Sequence, residues 1–149
     1  MFTNTYCALF FLSMALIVSC DAKMLDEVRD LYRNVEGNEK VADRLFEVTK
    51  GMTEPLFFAY NGVAKAVLAS FKWNPYSKLR LVQEGCAQLN KASKMLSSDI
   101  EIRMLRLSVE INIPAIISID RHIDEDRAYL KKHFDPNHPM ADVIKHFLD

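Results

Sequence analysis

The sequence predicts an all-α fold, a single bundle of six or seven helices. Three observations carry that prediction. Apolar residues recur at spacings of three and four along most of residues 24–148, the stripe of an amphipathic helix. Helix-ending residues, Gly37, Gly51, Pro75 and Pro114, fall between those stripes and not within them. A tempting two-residue alternation at Ile100, Ile102 and Met104 gives way to Ile102, Leu105, Val109 and Ile113, which recur at three and four.

Each element follows in order. Leu25, Val28, Leu31, Tyr32 and Val35 stripe a first helix from Met24, and Glu36-Gly37-Asn38 breaks it with Gly37 at the C-terminal cap. Asn38 caps a second helix carrying Val41, Ala42, Leu45, Phe46 and Val48, which closes at Lys50-Gly51. Thr53 is the N-cap candidate of a third helix, with Pro55 in its first turn, where a missing N–H costs nothing. Residues 56–71 are apolar on most sides, interrupted only by Asn61-Gly62 and Lys65, so this helix is expected at the centre of the bundle. Its small residues Gly62, Ala64, Ala66 and Ala69 permit a close neighbour.

Trp73-Asn74-Pro75 forms a turn, since a residue before proline is pushed out of the helical region. The fourth helix starts at Pro75 or Tyr76 and runs to Leu96. It shows Leu79, Val82, Cys86, Leu89, Ala92, Ser93 and Leu96 on one face. Ser98 and Glu101 have capping-box spacing ahead of a fifth helix over 99–113, ended by Pro114. Residues 115–119 are left irregular. Asp120 or Asp124 starts a sixth helix through Phe134, residues 135–139 form a loop, and Met140–Leu148 makes a short last helix.

The first twenty residues hold no charged side chain: all 19 Lys and Arg and all 20 Asp and Glu lie after Cys20. The run Tyr6–Val18 is shorter than the ~20 apolar residues a membrane-spanning helix needs, and suits the core of a secretory signal. Ile17-Val18-Ser19-Cys20 has the form of a lipobox, which assigns residues 1–19 to a signal peptide of lipoprotein type and residues 20–149 to one α-helical domain. Cys20 is then the lipidation site, the membrane contact is its acyl anchor, and the location is the cell envelope. Met1–Thr5 lacks the Lys or Arg of an ordinary signal. An N-terminal helix buried in the domain, cleavage after Ala22 and an uncleaved signal anchor are the competing readings.

A formal net charge of −1 with no basic run lacks the footprint of a nucleic-acid binder. Of three cysteines, Cys7 leaves with the signal and Cys20 is lipidated. Cys86 is then stranded, and a disulfide framework is excluded for the mature domain.

Residues 81–96, LVQEGCAQLNKASKML, resemble the second helix of a tetratricopeptide repeat. Gly85 and Ala92 stand at its small positions and Leu89 at its large apolar one, while Ser97 stands where the repeat's closing proline falls. The resemblance implies helix-hairpin packing, because small residues let two helices approach while the large one fills the gap. The 34-residue period does not recur. Residues 55–134, with FKWNPYSKL, EG, LNKA, EIRMLRLSVEINIP and IDRHIDEDRAYL, are similar to a group of small exported all-helical bacterial proteins. That similarity implies a helical fold and export, and no catalytic residue. Arg121-His122 departs from the group's pattern.

No catalytic constellation and no cofactor site is evident. His133, Asp135, His138 and His146 bracket a two-proline loop without zinc-site spacing, so solvated loop residues explain them best. Cys86 on an apolar face reads as a small core hydrophobe. Asp120, Asp124, Glu125 and Asp126, set among Arg121 and Arg127, suit the positive end of a helix dipole.

Arg103, Arg106 and Glu110 share one helix face. Intrahelical ion pairs over a wet face explain them most simply. A polar groove gripping a peptide terminus, with Trp73, Asn74 and Lys78 nearby, is the functional alternative. The sequence thus predicts a helical adaptor for a protein or peptide partner. A small hydrolase or ligand-binding protein on the Arg103/Arg106 face and the Asp120–Asp126 cluster is the alternative. An uncovered 56–71 face would instead mark packing between copies of the chain.

Overall fold

The computed structural model describes residues 22–148, and all of its regular structure is helical. The helices are α1 (22–33), α2 (Glu39–Thr49), α3 (Pro55–Ser70), α4 (Pro75–Met95), α5 (Ile100–Glu110), α6 (Ile123–His133) and α7 (Ala141–Lys145). The signal segment and Cys20 lie outside the described residues.

The caps follow local chemistry. The Asn38 side chain accepts from the Val41 N–H, and the Asn74 side chain accepts from Tyr76 and Ser77. Gly37 (φ 68°) and Gly51 (φ 78°) end their helices in the left-handed region that side chains disfavour. Two expected caps differ. Pro55 is the first residue of α3, which puts Glu54 and not Thr53 at the cap, with no side-chain bond. Asp99 caps α5 by accepting from Ile102 at 2.9 Å, and Glu101 turns inward instead of completing a box with Ser98.

α5 ends at Glu110, three residues earlier than expected. The Arg121 guanidinium holds the unwound carbonyls, donating to Glu110 O at 2.9 Å, Pro114 O at 3.0 Å and Ile113 O at 3.3 Å. α6 starts at Ile123, and its acids (Asp124, Glu125, Asp126) and bases (Lys131, Lys132, His133) lie at the ends the dipole favours. α7 is shorter than the expected 140–148, with turn bonds carrying the chain on through Phe147 and Leu148.

The core centres on α3, as its apolar sequence requires. Tyr60, Val63 and Ala64 are buried against Leu89 of α4 and Leu105 of α5 in one cluster. α3 and α4 pack antiparallel, with Lys91 over the Phe58 ring, Gln88 bonded to Asn61, and Gly62 facing Gly85. A Cβ on Gly85 would lie 2.6 Å from the Gly62 carbonyl oxygen, so the two backbones meet where a side chain has no room. This is the small-residue hairpin contact expected from residues 81–96.

The polar interruption in α3 is an internal ladder. Asn61 donates to Thr49 Oγ1 (3.0 Å) and Phe46 O (3.1 Å). Gln88 donates to Asn61 Oδ1 (3.1 Å) and Phe58 O (2.8 Å), and Lys65 donates to Gln88 (2.9 Å). These bonds join α2, α3 and α4 and satisfy groups whose burial would otherwise cost ~1–3 kcal/mol each.

Candidate functional site

The polar residues singled out on α5 are committed to the fold. Asp126 of α6, fully buried, accepts from Arg106 Nε and NH2, both at 2.7 Å, and from Arg103 NH1 at 3.0 Å. Arg103 reaches Glu125 at 2.7 Å and lies over the Tyr129 ring, while Arg106 NH1 donates to Asn90 of α4 at 3.2 Å. Glu110 is buried one turn on. Its carboxylate accepts from the His122 N–H at 2.6 Å and sits 3.3 Å from His122 Nδ1.

The face therefore carries neither exposed intrahelical pairs nor an open groove. Arg106 and Glu110 each bond the α6 side and not one another. The physical reason is geometric: α5 and α6 run antiparallel in contact, which presents Asp126 and His122 to the two turns of α5 bearing these charges.

A second buried group joins α1, α3 and α5. Glu101 accepts from Arg29 Nε (3.0 Å) and NH2 (2.7 Å) and from the Tyr60 hydroxyl. Burial, with the Glu101 charge alongside, pushes the Tyr60 phenol far above its ordinary range. His138 sits 3.7 Å from Glu101 and accepts from the Met140 N–H. The remaining residues of the histidine loop are dispersed: His133 stacks on Tyr129 and Asp135 caps Asn137. Among the described residues no group of three His, Cys, Asp or Glu could hold a metal ion. Cys86 is buried, and desolvation raises its thiol to about 11, so it is neutral near pH 7.

Among the described residues, a groove of about 1020 Å³ lies between α1, α3, α4, α5 and α7. Val63 and Val67 of α3, Val82 of α4, Val109 of α5 and Phe147 after α7 form its apolar wall. Its exposed rim carries Glu36, Ser70, Lys78, Asn112, Pro114 and His146. Its lining also holds Arg33, which donates to Asp142 (3.2 Å) and to Pro139 O (2.8 Å). The Lys78 ammonium makes no ion pair among the described residues.

Of the six residues expected to bind a partner, Lys78 lies on this rim, and Trp73 and Asn74 lie in the turn beside it. Arg103, Arg106 and Glu110 are elsewhere, at the α5–α6 contact. The groove's own residues went unmarked in the sequence because branched apolar side chains on three helices read as core. The one available signal was that α3 has more apolar faces than its neighbours require. The chain matches no family model, no curated protein and no solved structure to which it was compared.

The exposed ion pairs predict an acid response. Arg103 beside Glu125, and Arg33 beside Asp142, hold those carboxyls below their ordinary values. A depressed folded pKa contributes stability that is present above the unfolded value, near 4, and lost as pH falls through the folded one. The urea midpoint is expected to drop between pH 5 and pH 3 in wild type, and to drop less in a Glu125→Gln, Asp142→Asn double variant. Equal drops would contradict the assignment.

Proposed function

We propose that this chain is a non-catalytic helical binding module, held at a membrane of the cell envelope through Cys20, that receives the apolar part of a protein or peptide partner in the groove. The observation that carries the reading is the groove itself. It is large, mostly apolar, and rimmed by a few polar groups, the composition of binding sites in general. A helix-in-groove or extended-peptide mode would set alternate apolar side chains against Val67, Ile113 and Phe147 and leave the partner's polar side to Asn112.

The charged residues give a hydrolase less support. Arg103, Arg106 and Asp126 are bonded to one another, and none of them lines the groove. Copy-to-copy packing through residues 56–71 finds less support, since α2, α4 and α5 cover most of α3 and its one open side is the wall of the groove. A second reading, a small amphipathic ligand, is favoured by volume, because 1020 Å³ lies at the top of the ~300–1,000 Å³ range of small-molecule sites. Export and anchoring are supported by the uncharged first twenty residues and by Ile17-Val18-Ser19-Cys20. No described helix is long and apolar enough to cross a membrane.

The test places a photo-crosslinking amino acid at Ser70 on the rim, or at Glu47 on exposed α2 as control, in the cell that makes the protein. A discrete adduct of protein or peptide mass from Ser70 and not from Glu47 supports the module. An adduct of a few hundred daltons supports the small-ligand reading. Equal labelling from both positions overturns a role for the groove.

A further inference from the structure

Two loops border the groove, and they hold the most exposed large apolar side chains of the described residues. The α3–α4 turn and the first turn of α4, between the lining residues Ser70 and Lys78, carry Trp73, 94% exposed, and Tyr76, 84% exposed. The loop after α5, between the lining residues Pro114 and Ile117, carries Ile116, 92% exposed. Isolated exposed apolar residues are ordinary, but three that gather about one groove call for a partner.

The turn has a second property. From Pro55 to Gln83 the chain holds Lys65, Lys72, Lys78 and Arg80 and no Asp or Glu. Lys65 is engaged with Gln88, and Arg80 lies 3.7 Å from Glu84. Lys72 and Lys78, on either side of Trp73 and Tyr76, make no ion pair among the described residues. The acidic rim residues are Glu36, in the loop after α1, and the Asp142 of α7 already held by Arg33.

We propose that this rim docks on an anionic lipid bilayer, with Trp73, Tyr76 and Ile116 entering the interface and Lys72 and Lys78 meeting lipid headgroups. Indole and phenol rings are amphipathic and concentrate where hydrocarbon meets water. A basic side chain at an anionic surface contributes about 1 kcal/mol. Asn74 and Pro75 contribute rigidity. Asn74 caps α4 through two backbone N–H groups and Pro75 fixes the helix start, so Trp73 and Tyr76 are presented on a formed turn and cost little ordering entropy on insertion. Docking of this rim sets the groove mouth against the membrane, so the groove is loaded from the lipid surface. This goes beyond the binding-module reading, and it stands or falls separately from the occupant of the groove.

Trp73 is the sole tryptophan, so its fluorescence reports on this turn alone and is silent to insertion of the N-terminal segment. The full-length chain is titrated with phosphatidylcholine vesicles and with vesicles containing about a third phosphatidylglycerol. On the anionic vesicles, emission moves to the blue and acrylamide quenching falls. On the neutral vesicles both change little. Lys72→Gln with Lys78→Gln, both exposed and in no ion pair among the described residues, weakens the anionic response about thirtyfold. Three results would overturn the proposal: vesicle-bound protein whose Trp73 stays fully quenchable, an equal response on neutral lipid, or protection of Trp73 by a crosslinked protein partner and not by vesicles.

Discussion

Replacing Asp126 with alanine is expected to cost about 3–5 kcal/mol, a large share of the ~5–15 kcal/mol that holds a domain of this size. Asp126 is fully buried, and its two carboxylate oxygens take three guanidinium bonds at 2.7–3.0 Å. Without it Arg106, 4% exposed, keeps its charge and has only Asn90 to bond, while Arg103 falls back on Glu125. The cost is the desolvation of a stranded cation, far more than the intrinsic worth of the pair. An Asp126→Leu, Arg106→Met double variant removes both charges and is therefore expected to recover most of the loss. Chemical denaturation of both proteins decides the point. A single-variant loss under ~1 kcal/mol would mean that water reaches this contact and that it behaves as a surface pair.

Gly85→Ala is the second large effect. Alanine favours a helix over glycine by about 1 kcal/mol, so an unconstrained helical glycine gains from the change. Here the new Cβ meets the Gly62 carbonyl oxygen at 2.6 Å, with Ala66 N at 3.1 Å behind it. Backbone cannot swing aside, so α3 and α4 must separate along their whole contact. Overpacking against backbone belongs at the upper end of the usual ~1–3 kcal/mol, so after the helix gain a net loss of ~2 kcal/mol is expected. Gly62→Ala is the internal comparison. Its nearest contact is the Gly85 carbonyl oxygen at 3.0 Å, with Leu89 Cγ at 3.2 Å and Gln88 Cβ at 3.3 Å, so the neighbours need give by only a few tenths of an ångström. It should fall within about 1 kcal/mol of wild type. A Gly85→Ala protein more stable than wild type would contradict the close approach of the two helices.

The order and type of the helices were legible because periodicity and punctuation agree along this chain. Gly37, Gly51, Asn38 and Asn74 each do locally what their residue type favours. The unmade Ser98 box and the early end of α5 have one cause in common, long-range competition. Glu101, three residues from Ser98, is drawn into the interior by Arg29 and Tyr60, 72 and 41 residues away, and Asp99 takes the cap instead. Arg121 gathers carbonyls from residues 110–117 and thereby ends α5 before Pro114 does.

The candidate site was half legible for the same reason. Lys78 and Trp73 were expected beside the Arg103/Arg106 face; they border the groove instead, away from the α5–α6 contact. Arg103, Arg106 and Glu110 stood out as charges on one face, but charge density cannot distinguish a binding surface from a contact whose countercharges arrive from another helix. Val67, Val82 and Val109 carry no mark at all. Whether a valine faces core or an open groove depends on helices distant in sequence.

The central claim is that the polar residues of α5 serve the fold while the apolar groove serves binding. The measurement that tests it most directly fills the groove. Val67→Phe adds bulk to the wall, and the crosslinking yield from Ser70 is read beside the melting temperature of the same protein. Loss of the adduct with an unchanged or raised melting temperature is the predicted result. An adduct formed as well as in wild type, in a protein whose melting temperature rises, would show the groove to be a packing gap, and the claim would fail.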